Sequence, residues 1–345
     1  MEIRPDYRNS VYNVPHTVLE SMGMKTGKGL NSIDIANDSV LLFIVDALGA
    51  NIVKNMKRYR PQTVLTSVFP STTSAAITTV FTGKSPKEHG ILEWYMFYEE
   101  FGDIIKSIPF TLPESSVTDL LIDMGYSPKP LFEMETVFQR ISGEGMKSSS
   151  YLPEEYINSA YSQFMLRGSS VHGYDRIEDL PKMIEKDNAD YIYIYTDIVD
   201  QTQHAYGVES EATTFAVRMI ESVIKGIEEK MGDRSMIVTA DHGQTSIYEK
   251  EVKSFGNCPV GGSPRDVFLY CTDPVVENYN VIGREEIVNL LGPGKPNPAL
   301  KYRMPEYIIL PGDHMALWGS EFEVKGMHGG LSRDEMLVPL ILVEK

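Results

Sequence analysis

The stretch VLLFIV, Val40–Val45, followed at once by Asp46, decides the fold. Six consecutive apolar side chains leave no polar face, so the segment reads as a strand buried on both sides, the habit of parallel sheets. Three further runs share its character: YIYIYT (Tyr191–Thr196), SMIVTA (Ser235–Ala240) and VPLILV (Val338–Val343). Between the second and third, Glu209–Met231 carries apolar residues at Ala212, Phe215, Ala216, Met219, Ile220, Val223, Ile224 and Ile227. That spacing predicts a long helix packed on the sheet, with Gly232 as its C-terminal cap. Alternation of this kind predicts an α/β fold with a mostly parallel central sheet. Two regions break the rhythm. Residues 95–180 hold helix-like patches at Thr118–Met124 and Leu131–Ile141 with few clear strands, and residues 250–325 are rich in Gly, Pro and Asn around a strand-like Asp266–Cys271. Since ~75 structureless residues would be unusual, both are read as insertions, with 250–325 a cap or lid inside one domain spanning 1–345.

With 42% hydrophobic and 23% charged residues in 345, the chain has the composition of a soluble globule. Against 32 basic residues stand 48 acidic ones, a net charge of −16. That field repels a nucleic-acid backbone and argues against long nucleic acids as partners. No apolar run approaches the ~18–20 residues that span a bilayer, so no membrane partner is expected. The opening MEIRPDYRNSVYNVPHTVLE lacks the apolar core of a signal peptide. Cys258 and Cys271 are too few for a disulfide framework and suit a reducing compartment. A soluble, cytoplasmic protein is the expectation.

Three of the predicted strands end alike: Val40–Val45 runs into Asp46, Tyr191–Thr196 runs toward Asp200, and Ser235–Ala240 runs into Asp241-His242. In open α/β sheets, sites gather beyond the carboxyl ends of the strands. A single Asp there is most simply a helix cap or turn former. Three such ends accompanied by histidines are harder to dismiss. Asp200 and His204 stand four apart in DQTQH and share a face if that stretch is helical. Asp241 and His242 are adjacent and point apart. His328 sits in MHGG, where glycines allow close approach of backbone. Oxygen and imidazole donors without thiolate suit Zn²⁺, with Mn²⁺ or Fe²⁺ as alternatives. His89, in KEHG, reads as a supporting or turn residue, and His16, His172 and His314 as surface or core residues. The second chemical segment is VFPSTTSAAITTVFTG, Val68–Gly83, where Ser71, Thr72, Thr73 and Ser74 precede a helix-compatible run. One hydroxyl would cap that helix. Another could be a nucleophile favoured by the helix N-terminus, and spacing alone does not choose among the four.

Together these pieces resemble the alkaline phosphatase superfamily, and within it the type I phosphodiesterase / nucleotide pyrophosphatase family. The matching motifs are LLFIVDALG (Leu41–Gly49), FPSTTSAAITTVFTGKSPKEHGIL (Phe69–Leu92), DQTQHAYG (Asp200–Gly207), TADHGQ (Thr239–Gln244) and MHGGLSRDEMLVPLIL (Met327–Leu342). The resemblance implies a three-layer core and selects Thr73, counted back from Thr82-Gly83, as the nucleophile. It implies one metal held by Asp200, His204 and His328. A second would be held by Asp46, Asp241, His242 and the Thr73 oxygen. The sequence departs from the family's pattern after HGI: relatives that cleave nucleotides often carry an Asn there, whereas this chain continues Glu93-Trp94-Tyr95. Trp94 and Tyr95 read as packing residues more readily than as stacking partners for an aromatic group.

The resemblance therefore implies a two-metal phosphoester hydrolase acting on a small phosphoester or nucleotide through a phospho-threonine intermediate. On the same fold, a phosphomonoesterase, a phosphonate hydrolase or a phosphomutase is the alternative. A binding protein without turnover would be expected to have lost a ligand, and all seven positions hold competent residues. Two divalent ions would also offset the carboxylates of Asp46, Asp200 and Asp241, so the acidic charge does not exclude a small anionic substrate.

Overall fold

The computed structural model describes residues 2–274, 276, 278–320 and 323–344. Its main sheet has seven strands in the order β2 (Thr63–Thr66), β17 (Leu337–Val343), β8 (Ser235–Thr239), β1 (Val40–Val45), β7 (Tyr191–Thr196), β5 (Ser148–Pro153) and β6 (Ser169–Tyr174). Strands β8, β1, β7, β5 and β6 are mutually parallel, while β17 runs antiparallel to both of its neighbours. Every residue of β1 and β8 is buried, as an apolar run without a polar face requires.

The helix expected over 209–231 runs from Glu211 to Lys230 and is capped by Ser210, whose hydroxyl accepts the Thr213 N–H at 3.0 Å. Its buried stripe is Thr213, Ala216, Val217, Ile220, Val223, Ile224 and Ile227. Phe215, assigned to that stripe from spacing, is instead 70% exposed. Gly232 follows the helix with φ +69°, a left-handed conformation that costs glycine little.

The expectation of few strands between 95 and 180 is corrected. Residues 148–174 supply β5 and β6 to the main sheet, and Leu131–Ile141 is two short helices, Lys129–Phe132 and Val137–Gly143. Strands β3 (Tyr95–Tyr98) and β4 (Asp103–Lys106) enter a second, six-stranded antiparallel sheet. Its order is β13 (Asn280–Gly283), β14 (Tyr307–Leu310), β12 (Asp266–Leu269), β11 (Val260–Ser263), β3 and β4. Segment 250–325 thus builds its sheet jointly with residues 95–106, joined where Gly262 pairs with Tyr95. Two small ladders complete the strands: β10 (Glu249–Val252) with β15 (Met315–Trp318), and β9 (Thr245–Ser246) with β16 (Gly326–Met327).

Cys258 and Cys271 are bonded to each other in a single disulfide bridge. The bridge ties together the two ends of the β11–β12 hairpin. Among the described residues no helix is long and apolar enough to cross a membrane.

Candidate active site

Strands β8, β1 and β7 are neighbours, and their register pairs Val45 with Thr196 and Ile44 with Thr239. Their carboxyl ends are therefore level, and residues just beyond them emerge side by side. Asp46 follows β1, and Asp241-His242 follow β8 after Ala240. Beyond β7 the chain enters the helix Ile198–Tyr206, which carries Asp200 and His204 one turn apart. Thr73 opens the helix Thr73–Thr82, whose cap is Thr72: its hydroxyl accepts the Ala75 N–H at 3.4 Å. His328 arrives from β16, whose pairing with β9 sets it near His242. Gly326 in that strand carries no side chain because a Cβ would lie 2.5 Å from Gln244 Oε1 and 2.9 Å from the Gln203 carbonyl.

All seven residues singled out from the sequence meet here. Thr73 Oγ1 is 3.1 Å from His242 Nε2 and 3.4 Å from Asp46 Oδ2. His242 Nε2 is also 3.4 Å from Asp46 Oδ1 and 3.3 Å from Asp241 Oδ2. The remaining oxygens are already engaged. Asp46 Oδ2 accepts the Tyr195 hydroxyl at 2.5 Å, and Asp241 Oδ1 accepts the N–H groups of Ala47 at 3.2 Å and His242 at 2.9 Å. Asp46 Oδ1 and Asp241 Oδ2 are buried without a hydrogen-bond partner. Two orphaned carboxylate oxygens and an imidazole nitrogen facing one point is an arrangement that a cation satisfies and a hydrogen-bond network does not.

The histidines are oriented alike. Nδ1 of His204 faces the Gly326 carbonyl at 2.8 Å, that of His242 the Gly243 carbonyl at 3.1 Å, and that of His328 the Ser71 carbonyl at 3.1 Å. Each carbonyl fixes the proton on Nδ1 and turns Nε2, with its lone pair, into the site. His204 Nε2 lies 3.3 Å and His328 Nε2 3.8 Å from Asp200 Oδ1. Donor atoms converge in two groups, Asp46–Asp241–His242 and Asp200–His242–His328. His242 stands between them, its ring stacked 3.8 Å from that of His328. His204 joins through Asp200.

The protonation pattern follows from burial and like charge. Burial, then the charges of Asp241 and Asp200, raise Asp46 well above the usual carboxylate range, and burial raises Asp241 to about 6. Burial lowers His242 to about 4 and His328 to about 3, keeping both imidazoles neutral. For Asp200, burial is outweighed by the charge and hydrogen bond of His204, and the carboxyl is held low.

Two cavities flank Thr73. One, of about 250 Å³, is bordered by Ser74, Glu93, Trp94, His204, Ser263 and His328. The other, of about 230 Å³, is bordered by Phe81, Trp94, Tyr156, Tyr161, Tyr195 and Asp197. Trp94 and Asp200 border both. The hairpin of the second sheet closes the first cavity through Gly262, Ser263 and Pro264. Glu93 is 1% exposed, accepts the Trp94 N–H, and neighbours the buried carboxyl of Asp266. Burial raises Glu93 to about 7.

The other histidines lie apart from this cluster. His89 is buried behind the Thr73 helix, 3.1 Å from Thr79 Oγ1, and His16 is buried beneath the Gly83 carbonyl at 2.9 Å. His172 stacks on Tyr151, and His314 faces Thr245 and Ser246. Arg265 forms a salt bridge with Glu335 at 2.9 Å. Sequence reasoning missed Tyr195, Asp197, Gln244 and the Glu93–Asp266 pair. Tyr195 was legible only as the third of three alternating tyrosines in YIYIYT, and Gln244, whose Nε2 donates to Asp200 Oδ1 at 2.5 Å, as the last residue of TADHGQ.

Residues 40–259 match the family model of type I phosphodiesterase / nucleotide pyrophosphatase. The chain belongs to this family. Among curated proteins it is 23% identical over 215 residues to a venom phosphodiesterase of Macrovipera lebetinus, covering 59% of this chain and 24% of that protein. It is 22% identical over 232 residues to venom phosphodiesterase 2 of Crotalus adamanteus, covering 60% and 27%. The chain thus spans about a quarter of the length of these relatives. Among solved structures, murine ectonucleotide pyrophosphatase / phosphodiesterase 5, an inactive form in complex with AMP, superposes with a TM-score of 0.65 at 15% identity, covering 88% of this chain and 87% of that one. Phosphonoacetate hydrolase of Sinorhizobium meliloti in complex with phosphonoacetate gives a TM-score of 0.60 at 16% identity, covering 89% of each.

Proposed function

We propose that the protein hydrolyses phosphodiesters with Thr73 as nucleophile. Asp46, Thr73, Asp241 and His242 would hold one divalent ion, and Asp200, His204 and His328 a second. A donor set of carboxylates and imidazoles without thiolate favours Zn²⁺, with Mn²⁺ or Fe²⁺ as alternatives. The observation that carries this reading is the Thr73 hydroxyl, on the first turn of a buried helix and 3.1 Å from a neutral imidazole nitrogen.

When bound, the ions supply Lewis-acid stabilisation of the phosphoryl and leaving oxygens and favour the ionised form of Thr73. Thr73 Oγ1 attacks phosphorus in line with the departing ester oxygen, and its proton passes to Asp46 Oδ2. The Oγ1–P bond forms as the P–O bond to the leaving oxygen breaks, giving phospho-threonine and an alkoxide that takes a proton from solvent water. A water then attacks phosphorus from the vacated side as the P–Oγ1 bond breaks, Asp46 returns its proton to Oγ1, and the proton lost by the attacking water goes to solvent, releasing the phosphomonoester. The amides of Thr73 and Ser74 precede the first intrahelical hydrogen bond and are free to receive a phosphoryl oxygen. They take the role that an Asn would fill in relatives, since Trp94 stands in that region here.

Two cavities rather than one favour a diester over a monoester: each ester substituent has its own compartment beside Thr73. Nucleotides and other small phosphoesters are the candidate substrates, in keeping with the AMP and phosphonoacetate carried by the two similar structures. The test is hydrolysis of bis-p-nitrophenyl phosphate against p-nitrophenyl phosphate with Zn²⁺, Mn²⁺ and Mg²⁺ supplied in turn. The diester should lead by about tenfold or more in kcat/KM. A monoester preference would overturn the reading.

A further inference from the structure

Around the second cavity the walls are aromatic and the charge is negative. Tyr156 and Tyr195 meet at 62° with ring centroids 6.4 Å apart, forming a corner, and Trp94 and Phe81 supply further aromatic surface. Asp197 borders the same space. Its Oδ2 accepts the Tyr156 hydroxyl at 2.5 Å and the Gln201 amide at 2.6 Å, both neutral donors. Among the described residues, neither cavity lining contains a Lys or Arg. A carboxylate supported only by neutral groups keeps its full attraction for a cation, and faces of Trp and Tyr add to it. The same walls offer nothing to a second phosphate, which would need a basic clamp.

Resting on the phosphodiesterase reading above, we propose that this cavity selects a phosphodiester whose substituent carries an alkylammonium group, quaternary in the simplest case. Phosphorus sits at Thr73, and the short aliphatic arm carries the cation between Trp94, Tyr156 and Tyr195 toward Asp197. A nucleobase would also find aromatic walls, but it would leave the Asp197 charge unanswered.

The test compares two diesters with one leaving group and nearly one shape: p-nitrophenyl phosphocholine and p-nitrophenyl 3,3-dimethylbutyl phosphate, in which carbon replaces the charged nitrogen. The choline ester should be at least about tenfold better in kcat/KM, and Asp197→Asn should bring that ratio toward one. A ratio near one in the wild type, or a p-nitrophenyl ester of thymidine 5′-phosphate outpacing both, would overturn the proposal. If the metal-supplied protein cleaves none of the three, the hydrolase reading fails by itself. Calorimetric binding of choline against 3,3-dimethyl-1-butanol then judges the cavity alone. Tighter binding of choline, abolished by Asp197→Asn, upholds the proposal, and equal binding of the two removes it.

Discussion

Two buried charge clusters lie close together in this protein and are built on opposite rules. Arg265 and Glu335, 2% and 0% exposed, form a two-pronged ion pair at 3.0 and 2.9 Å. Arg265 also donates to the Gly312 carbonyl, and Glu335 accepts the N–H groups of Gly330 and Ser332. Against burial, Arg265 holds Glu335 below the usual carboxylate range. Asp46 and Asp241, 1% and 0% exposed, have no such partner; each engages one oxygen and leaves the other orphaned toward His242. The fold pairs the charges of the first cluster and leaves unpaired those that the proposed function assigns to a ligand. The paired cluster also adjoins the unpaired one, because the backbone carbonyl of Glu335 accepts the N–H of Gly243, the residue after His242.

The contrast can be broken by substitution. The largest effect belongs to Thr73→Ala, which removes the attacking oxygen and should lower kcat by about 10³-fold or more while leaving the melting temperature of the metal-free protein within a degree or two. Near-normal turnover in that variant would remove Thr73 from the mechanism. Next comes Glu335→Gln, which strands a buried guanidinium and should cost about 3–5 kcal/mol in chemical denaturation. Asp241→Asn should act in the opposite direction. With chelator present, relief of repulsion with Asp46 should stabilise the protein by about 1 kcal/mol, while metal content measured after dialysis falls. A loss of stability there like that of Glu335→Gln would mean that both clusters are structural.

The sequence displayed these clusters unequally for physical reasons. Strands buried on both faces are continuous apolar runs, so β1, β7, β8 and β17 stood out. Strands β5 and β6, SSSYLP and SSVHGY, lie toward one edge and lack such runs, so they did not. Asp46, Asp200, Asp241 and His242 were legible because they follow strands, His204 by its four-residue spacing from Asp200 and His328 by its glycines, whereas Thr73 was singled out among four hydroxyls only by the family resemblance. Arg265 was legible only as a charge, since its partner lies 70 residues away and arrives through tertiary packing. The Cys258–Cys271 bridge joins the ends of a hairpin that no periodicity announced.

The smallest expected effect concerns a third arrangement, between the two extremes. Glu93 and Asp266 are buried, neighbouring carboxyls, each with one oxygen that no other group engages, and burial favours their keeping a proton over pairing with a cation. Burial raises Glu93 to about 7 and Asp266 well above its ordinary value. The sign follows from linkage. A carboxyl with a raised folded-state pKa contributes stability that is fully present below its unfolded value near 4.5 and is lost as pH rises through about 7. Melting temperature should therefore decline between about pH 5 and 8. Glu93→Gln, which keeps a hydrogen-bond donor toward Asp266 and cannot ionise, should flatten part of that decline, by about 1 kcal/mol across the window. Parallel profiles for the two proteins would show that Glu93 ionises as a solvated carboxylate. The pair would then belong with the Asp46–Asp241 cluster, as charge waiting for a partner.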